Sequence, residues 1–122
     1  MNCYKKLIDA ASAAKENSYS PYSKFKVGAA LLAKDGTIYC GANIENASFS
    51  ATVCAERVAL YKAVFDGKKD FTALAIAGDS PAFPCGVCLQ SLCEFSDMDI
   101  IIVGKTTKKY KLSELLTHTF KF

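Results

Sequence analysis

Residues 82–95 read AFPCGVCLQSLCEF. Two cysteines stand three apart directly behind Pro84, and Cys93 follows five residues after Cys88. Proline suits the first turn of a helix, where its missing N–H is not needed. A helix beginning here puts Cys85 and Cys88 at its start, where free N–H groups and the positive end of the helix dipole favour thiolates. The spacing lets both sulfurs turn toward one point. By itself C-x-x-C suits a metal site and a redox pair equally well, so the rest of the chain has to choose.

The chain carries six cysteines and one histidine in 122 residues, long enough for one domain, residues 1–122, to bury a core without cross-links. Its net charge of +3 is mild, and the lysine pairs at 5–6, 68–69 and 108–109 never extend into a basic run. That pattern argues for solvated surface and against a nucleic-acid partner. No apolar stretch approaches the roughly 20 residues of a membrane span. The opening MNCYKKLIDAASAAKENS lacks the apolar core of a signal peptide and reads as an amphipathic helix. The expected setting is the cytoplasm, where thiols stay reduced and cysteine pairs more often mean metal or redox chemistry than disulfides.

Working outward from the cysteines, Leu7, Ile8, Ala11 and Ala14 recur at helical spacing and predict a helix over 3–17, broken by NSYSPYS. FKVGAALLA, then Asp35-Gly36, then TIYCGANI predicts a hairpin. VCAERVALYKAVFDG reads as a helix closed by Gly67, FTALAIAG as a strand buried on both faces, and residues 85–95 as a short helix. DIIIVG predicts another buried strand, TKKYKL an edge strand, and LSELL a last helical turn. The order αββαβαβ(β)α predicts an α/β fold, a three-layer α/β/α arrangement with a mixed sheet of about five strands.

A third thiol decides much of the rest. Cys54, in VCAER, also falls at the expected start of a helix. Two helix N-termini aimed at one cation supply three thiolates and leave one tetrahedral position open, which is the pattern of a catalytic zinc site. Cys3, Cys40 and Cys93 are expected to be small apolar core residues. Glu56 stands two residues beyond Cys54. On a first helical turn a glutamate complements the dipole. Beside a zinc ligand it can also take a proton from a water whose pKa the metal brings to about 7.

Cys54-Ala55-Glu56 followed by Pro84-Cys85-Gly86-Val87-Cys88 matches the signature of the zinc nucleobase deaminases in its three-cysteine form. With YSPYSKFKVGAALL, GANIENASFS, CAERVAL and PCGVCLQ, the chain resembles the small homotetrameric cytidine deaminases of pyrimidine salvage from its first helix to its C-terminus. The resemblance implies one Zn²⁺ per subunit on Cys54, Cys85 and Cys88, with Glu56 shuttling protons. It implies that Asn43 and Glu45 bond the ribose hydroxyls, that Phe25 lies beside the pyrimidine, and that the Ala55 backbone contacts the base. Arg57 matches an arginine that donates to the zinc-bound sulfurs. Phe120 matches a C-terminal aromatic that reaches a neighbouring subunit's site. Phe49 stands where relatives carry a tyrosine near a subunit boundary, so it keeps the packing area and loses a hydroxyl. His118 lies outside the pattern and reads as surface or interface. The family usually writes P-C-G-x-C-R-Q, and this chain has Leu89 before Gln90.

The expected reaction is deamination of cytidine and deoxycytidine, with a small-molecule nucleoside as substrate and neither nucleic acid nor membrane as partner. A near rival is deamination of another aminopyrimidine nucleoside such as blasticidin S, although NIENAS favours simple nucleosides. A thioredoxin-like Cys85–Cys88 pair leaves Cys54 and Glu56 unexplained. A four-cysteine structural zinc module would make Glu56 dispensable.

Overall fold

The computed structural model describes residues 2–122. A single 3-10 turn, Asn2–Tyr4, leads into α1 (Lys5–Ala14), and a second turn, Lys15–Asn17, closes it. The expected helix over 3–17 is therefore an α-helix tightened at both ends. The hairpin follows as β1 (Val27–Ala33) and β2 (Ile38–Ala42), with Gly36 at φ +96° in the turn. Next come α2 (Ala55–Phe65), β3 (Phe71–Gly78), α3 (Gly86–Cys93), β4 (Asp99–Ile102), β5 (Lys108–Lys111) and α4 (Leu112–Leu115). Gly67, just past α2, adopts φ +91°, a left-handed conformation that glycine takes freely at a helix end.

The strands form one mixed sheet in the order β2-β1-β3-β4-β5. Only β3 and β4 run parallel, because α3 supplies the crossover between them. Strand alternation sorts the side chains onto two faces. Ala29, Leu31, Leu74, Ile76, Ile100 and Ile102 join residues of α2, α3 and α4 in the larger core. Ala30, Ala73, Ala75, Ala77 and Ile101 meet Leu7 and Ala11 of α1 on the other face. The α1 face is lined with alanine, so the helix sits close. A Cβ on Gly28 would lie 2.2 Å from the Ala11 carbonyl oxygen.

Of the three cysteines expected in the core, Cys40 and Cys93 are half-buried against the two clusters. Cys3 is exposed, a correction. It lies in the turn before α1, where Tyr4 takes the inward place against the α1-side cluster. No helix among the described residues is long and apolar enough to cross a membrane.

The Tyr4 hydroxyl donates to Asp99 at 2.6 Å and ties the start of α1 to β4. That bond to a carboxylate, with partial burial, pushes the phenol up to about 12. A raised pKa means that the contribution is complete below the unfolded phenol's value near 10 and is lost as pH rises through 12. Tyr4→Phe is expected to cost ~1 kcal/mol at pH 8. In urea titrations the gap between the variant and the parent protein should shrink at pH 11, and an equal gap at both pH values would remove the hydrogen bond as its cause.

Candidate metal centre

The site is built on two helix starts. Cys54 is the N-cap of α2 and Cys85 the N-cap of α3, each with extended backbone and neither using its side chain as a cap. Both sulfurs are therefore free to point away from their helices, over N–H groups that have no intrahelical partner. Cys88 is the third residue of α3 and Arg57 the third of α2. An N-cap side chain and the third helical side chain lie on the same side of a first turn, the geometry that capping boxes exploit. C-x-x-C is the metal-binding use of that geometry, and Cys54 with Arg57 repeats it on the second helix. The Arg57 Nη2 donates to the Cys54 sulfur at 3.6 Å.

The three sulfurs of Cys54, Cys85 and Cys88 lie within 4.8 Å of one another, with Cys54 and Cys85 at 3.9 Å. Tetrahedral zinc with Zn–S bonds of 2.3 Å requires sulfurs about 3.8 Å apart, so the group fits with a small closing movement. Among the described residues, Cys3, Cys40 and Cys93 stand outside this group. Three soft donors with no fourth leave an open coordination position. The thiols already share charge unevenly. A hydrogen bond from Cys88 pulls Cys54 down to about 5, against the cost of burial and with help from Arg57 and Cys85. The same bond, with burial, pushes Cys88 upward.

Glu56, the second residue of α2, is 4 % exposed. Burial pushes its carboxyl up to about 7, its own backbone N–H and Arg57 oppose the shift, and the Cys54 charge adds to it. Ala55 is fully buried, and its carbonyl faces β2, 2.5 Å from where a Cβ on Gly41 would sit. Ala55 is also the first residue of α2, so its N–H has no intrahelical partner. Leu89 is buried in the larger core, so the place expected of an arginine is filled by apolar packing. Arg57 is the cation bonded to the thiols among the described residues.

The residues expected to read the nucleoside are placed less uniformly. After β2 the chain makes an excursion that is pinched off where Ile44 and Val53 exchange backbone hydrogen bonds, both at 2.9 Å, which returns it directly to Cys54. Asn43 is buried at the root of this excursion. Its amide oxygen accepts from the Ser18 hydroxyl and the Val27 N–H, and its nitrogen donates to the Phe25 carbonyl at 2.9 Å. One amide N–H remains. Glu45 accepts from the Tyr22 and Ser23 N–H groups at 3.0 Å and from the Ser23 hydroxyl, bonds that hold its carboxyl below the usual range. Sequence reasoning missed that both side chains also brace the segment leading to Phe25. Phe25 is half-buried just ahead of β1, its ring edge over Gly78 at the end of β3. Phe49 is 85 % exposed in a 3-10 turn, and with Tyr22, Ser23, Glu45, Asn46 and Thr52 it lines a cleft of about 320 Å³. Phe120 is 68 % exposed, and His118 is exposed as expected.

The model of the cytidine and deoxycytidylate deaminase zinc-binding region matches residues 1–104. The chain belongs to this family. The cytidine deaminase of Sporosarcina psychrophila is 57 % identical over 93 residues, covering 75 % of this chain and 68 % of that protein. That of Halalkalibacterium halodurans is 46 % identical over 120 residues, covering 93 % and 91 %. The crystal structure of cytidine deaminase from Burkholderia pseudomallei superposes with a TM-score of 0.88 at 39 % identity, covering 94 % of this chain and 97 % of the other. The five-stranded α/β fold is thus that of the zinc-binding deaminases, and Cys54, Cys85 and Cys88 are the group in it that can hold one zinc.

The approach of α2 to β2 sets where Cys54, Glu56 and Arg57 stand. A Cβ on Gly41 would lie 2.5 Å from the Ala55 oxygen and 2.6 Å from the Ala59 nitrogen, so backbone has to move to admit it. Gly41→Ala is expected to destabilise the fold by about 1–3 kcal/mol and to lower the zinc bound per chain. Thermal unfolding together with metal analysis checks both; unchanged zinc in a destabilised variant would separate the seat of α2 from the metal site.

Proposed function

We propose that this chain is a zinc-dependent cytidine and deoxycytidine deaminase of pyrimidine salvage, converting its substrate and water to uridine or deoxyuridine and ammonia. The observation that carries the reading is Glu56, a buried carboxyl raised by burial to about 7 and near enough to feel the Cys54 charge, beside three convergent thiols. Bound there by Cys54, Cys85 and Cys88, zinc supplies a Lewis acid that brings a water's pKa close to neutrality. Glu56 would take one proton from the attacking water and deliver it to the ring nitrogen beside the amine-bearing carbon, then carry the second proton, released from the newly added hydroxyl, to the amine that leaves as ammonia. A shuttle must both accept and give a proton within one cycle, and a pKa near the working pH serves both halves. Arg57 offsets the negative charge that three thiolates leave on a divalent ion and holds the Cys54 sulfur in place.

Substrate reading falls to the surrounding groups. The Ala55 N–H offers a donor to the base, Phe25 walls the ring, and Asn43 and Glu45 present their remaining N–H and lone pair to the ribose. Phe49 and Phe120 are too exposed to wall a site within one chain, and exposed aromatic area of this kind is what subunit contacts cover. We therefore place the enzyme as a homotetramer whose sites are completed by neighbouring subunits, with residues 1–122 as one catalytic domain and the cytoplasm, where its free thiols stay reduced, as its setting.

Ultraviolet absorbance of cytidine incubated with the zinc-loaded protein tests the reading directly. The parent protein should convert it to uridine. Glu56→Gln should slow conversion by about 10²–10⁴-fold while binding the same amount of zinc. Turnover undiminished in Glu56→Gln would sink the shuttle assignment, and a zinc-loaded parent protein inert toward cytidine would move the substrate to modified aminopyrimidine nucleosides such as blasticidin S.

The working form of Glu56 at the start of the cycle is the carboxylate, so kcat/KM should fall as pH drops through its pKa. Burial holds that carboxyl near 7, so the acid limb should fall near neutrality and not in the ordinary glutamate range. A pH–rate profile of the holoenzyme checks this; a limb centred near 4 would contradict it.

A further inference from the structure

Beyond α4 the chain runs through residues 116–122 without regular structure, and it arches over a cleft of about 290 Å³ between itself, α3 and α4. A segment arranged in this way packs weakly, so its position depends on whatever polar bonds it makes. Among the described residues, the hydrogen bonds that tether residues 117–122 come from one side chain. The Gln90 amide nitrogen donates to the Phe120 carbonyl at 3.1 Å, and the Phe120 N–H donates to the Gln90 amide oxygen at 3.2 Å. A primary amide facing a peptide group in this way satisfies donor and acceptor together and fixes direction as well as distance. Gln90 belongs to α3, two residues past Cys88, so the tail is fastened to the same rigid helix that carries two of the metal thiols.

We infer that Gln90 is a positioning residue: by gripping the Phe120 backbone from α3 it sets the direction in which the ring projects to contact the pyrimidine in the neighbouring subunit's site. The inference rests on the proposed role of Phe120 in substrate binding. Phe120 itself is 68 % exposed, and among the described residues the aromatic ring paired with it is that of Phe122, edge-on at 5.5 Å. Because the clamp grips backbone, it tolerates any side chain at 120 and so separates the placing of the tail from the chemistry of the ring.

The test compares Gln90→Met, Phe120→Ala and the double variant as zinc-loaded proteins acting on cytidine, with zinc content and amide exchange at Phe120 measured alongside. Methionine keeps the length of the side chain and a helical preference while removing both hydrogen bonds. Loss of one base–aromatic contact corresponds to a rise in KM of about tenfold. Gln90→Met and Phe120→Ala should each show such a rise with kcat within about twofold, and the double variant should be no worse than Phe120→Ala alone. The Phe120 amide should exchange faster in Gln90→Met while zinc content is unchanged. A normal KM in Gln90→Met beside a raised KM in Phe120→Ala overturns the positioning role, as does additivity in the double variant. Normal KM in both, with the parent protein still active, overturns it through Phe120 and leaves the deaminase reading intact. A parent protein inactive on cytidine removes that reading itself, and with it this role for Gln90. Loss of zinc in Gln90→Met would show Gln90 acting on α3 and not on the tail, and would overturn the inference as well.

Discussion

Cys54, Glu56, Arg57, Cys85 and Cys88 have to come together from helices that begin 31 residues apart in sequence, and the contact that permits it is the bare Cα of Gly41 beneath the first turn of α2. With the Ala55 oxygen and the Ala59 nitrogen pressed to that Cα, α2 lies as near the sheet as backbone allows. Its N-cap then arrives beside the N-cap of α3. The strand order supports this arrangement. The hairpin edge β2 carries α2, while α3 crosses from β3 to β4 on the same face, so both helix starts come to one end of the larger core. Alanine at 55, 59 and 63, all fully buried, continues the close fit along the helix.

That placement decides the electrostatics. Thiols at two N-caps feel two helix dipoles of the same sign, and open N–H groups below them stabilise thiolate further. Three thiolates on a divalent ion still leave one negative charge, which would repel the approach of any further anion and raise the pKa of a carboxyl nearby. Arg57 supplies the compensation from its own helix by reaching back to Cys54. Leu89 turns the adjacent position over to the core, so compensation here rests on one guanidinium where the family pattern provides a second cation. Glu56 is left with a protonation balance set by burial, close enough to even that it can serve as both acid and base.

Most of this was legible in the sequence because it follows from local rules. Apolar runs of strand length gave the buried strands, Asp35-Gly36 the hairpin and Pro84 the start of α3. Cys54-Ala55-Glu56 with Cys85 and Cys88 identified the metal group, since an N-cap and its third helical neighbour always share a side. What escaped depends on contacts between segments far apart in the chain. Nothing local marks Gly41 as the seat of a helix that starts fourteen residues later. The double duty of Asn43 and Glu45 could not be read either, because their partners Ser18, Tyr22, Ser23, Phe25 and Val27 approach only once the sheet has formed. Cys3 was misplaced because a free cysteine ordinarily packs as a small apolar residue, whereas in the turn before α1 the inward position passes to Tyr4.

The double duty of Asn43 and Glu45 bears on what the proposed enzyme would accept. Asn43 has spent both acceptor positions and one N–H on the fold, and Glu45 three of its four lone-pair sites. What remains is one donor and one acceptor. One sugar hydroxyl could take both, or two hydroxyls could take one each. Bracing has a further effect, since an amide and a carboxylate already fixed by three bonds each lose little freedom when they bind. A deoxyribose still finds a partner for its remaining hydroxyl in either arrangement, and this supports proposing cytidine and deoxycytidine together as substrates of one site.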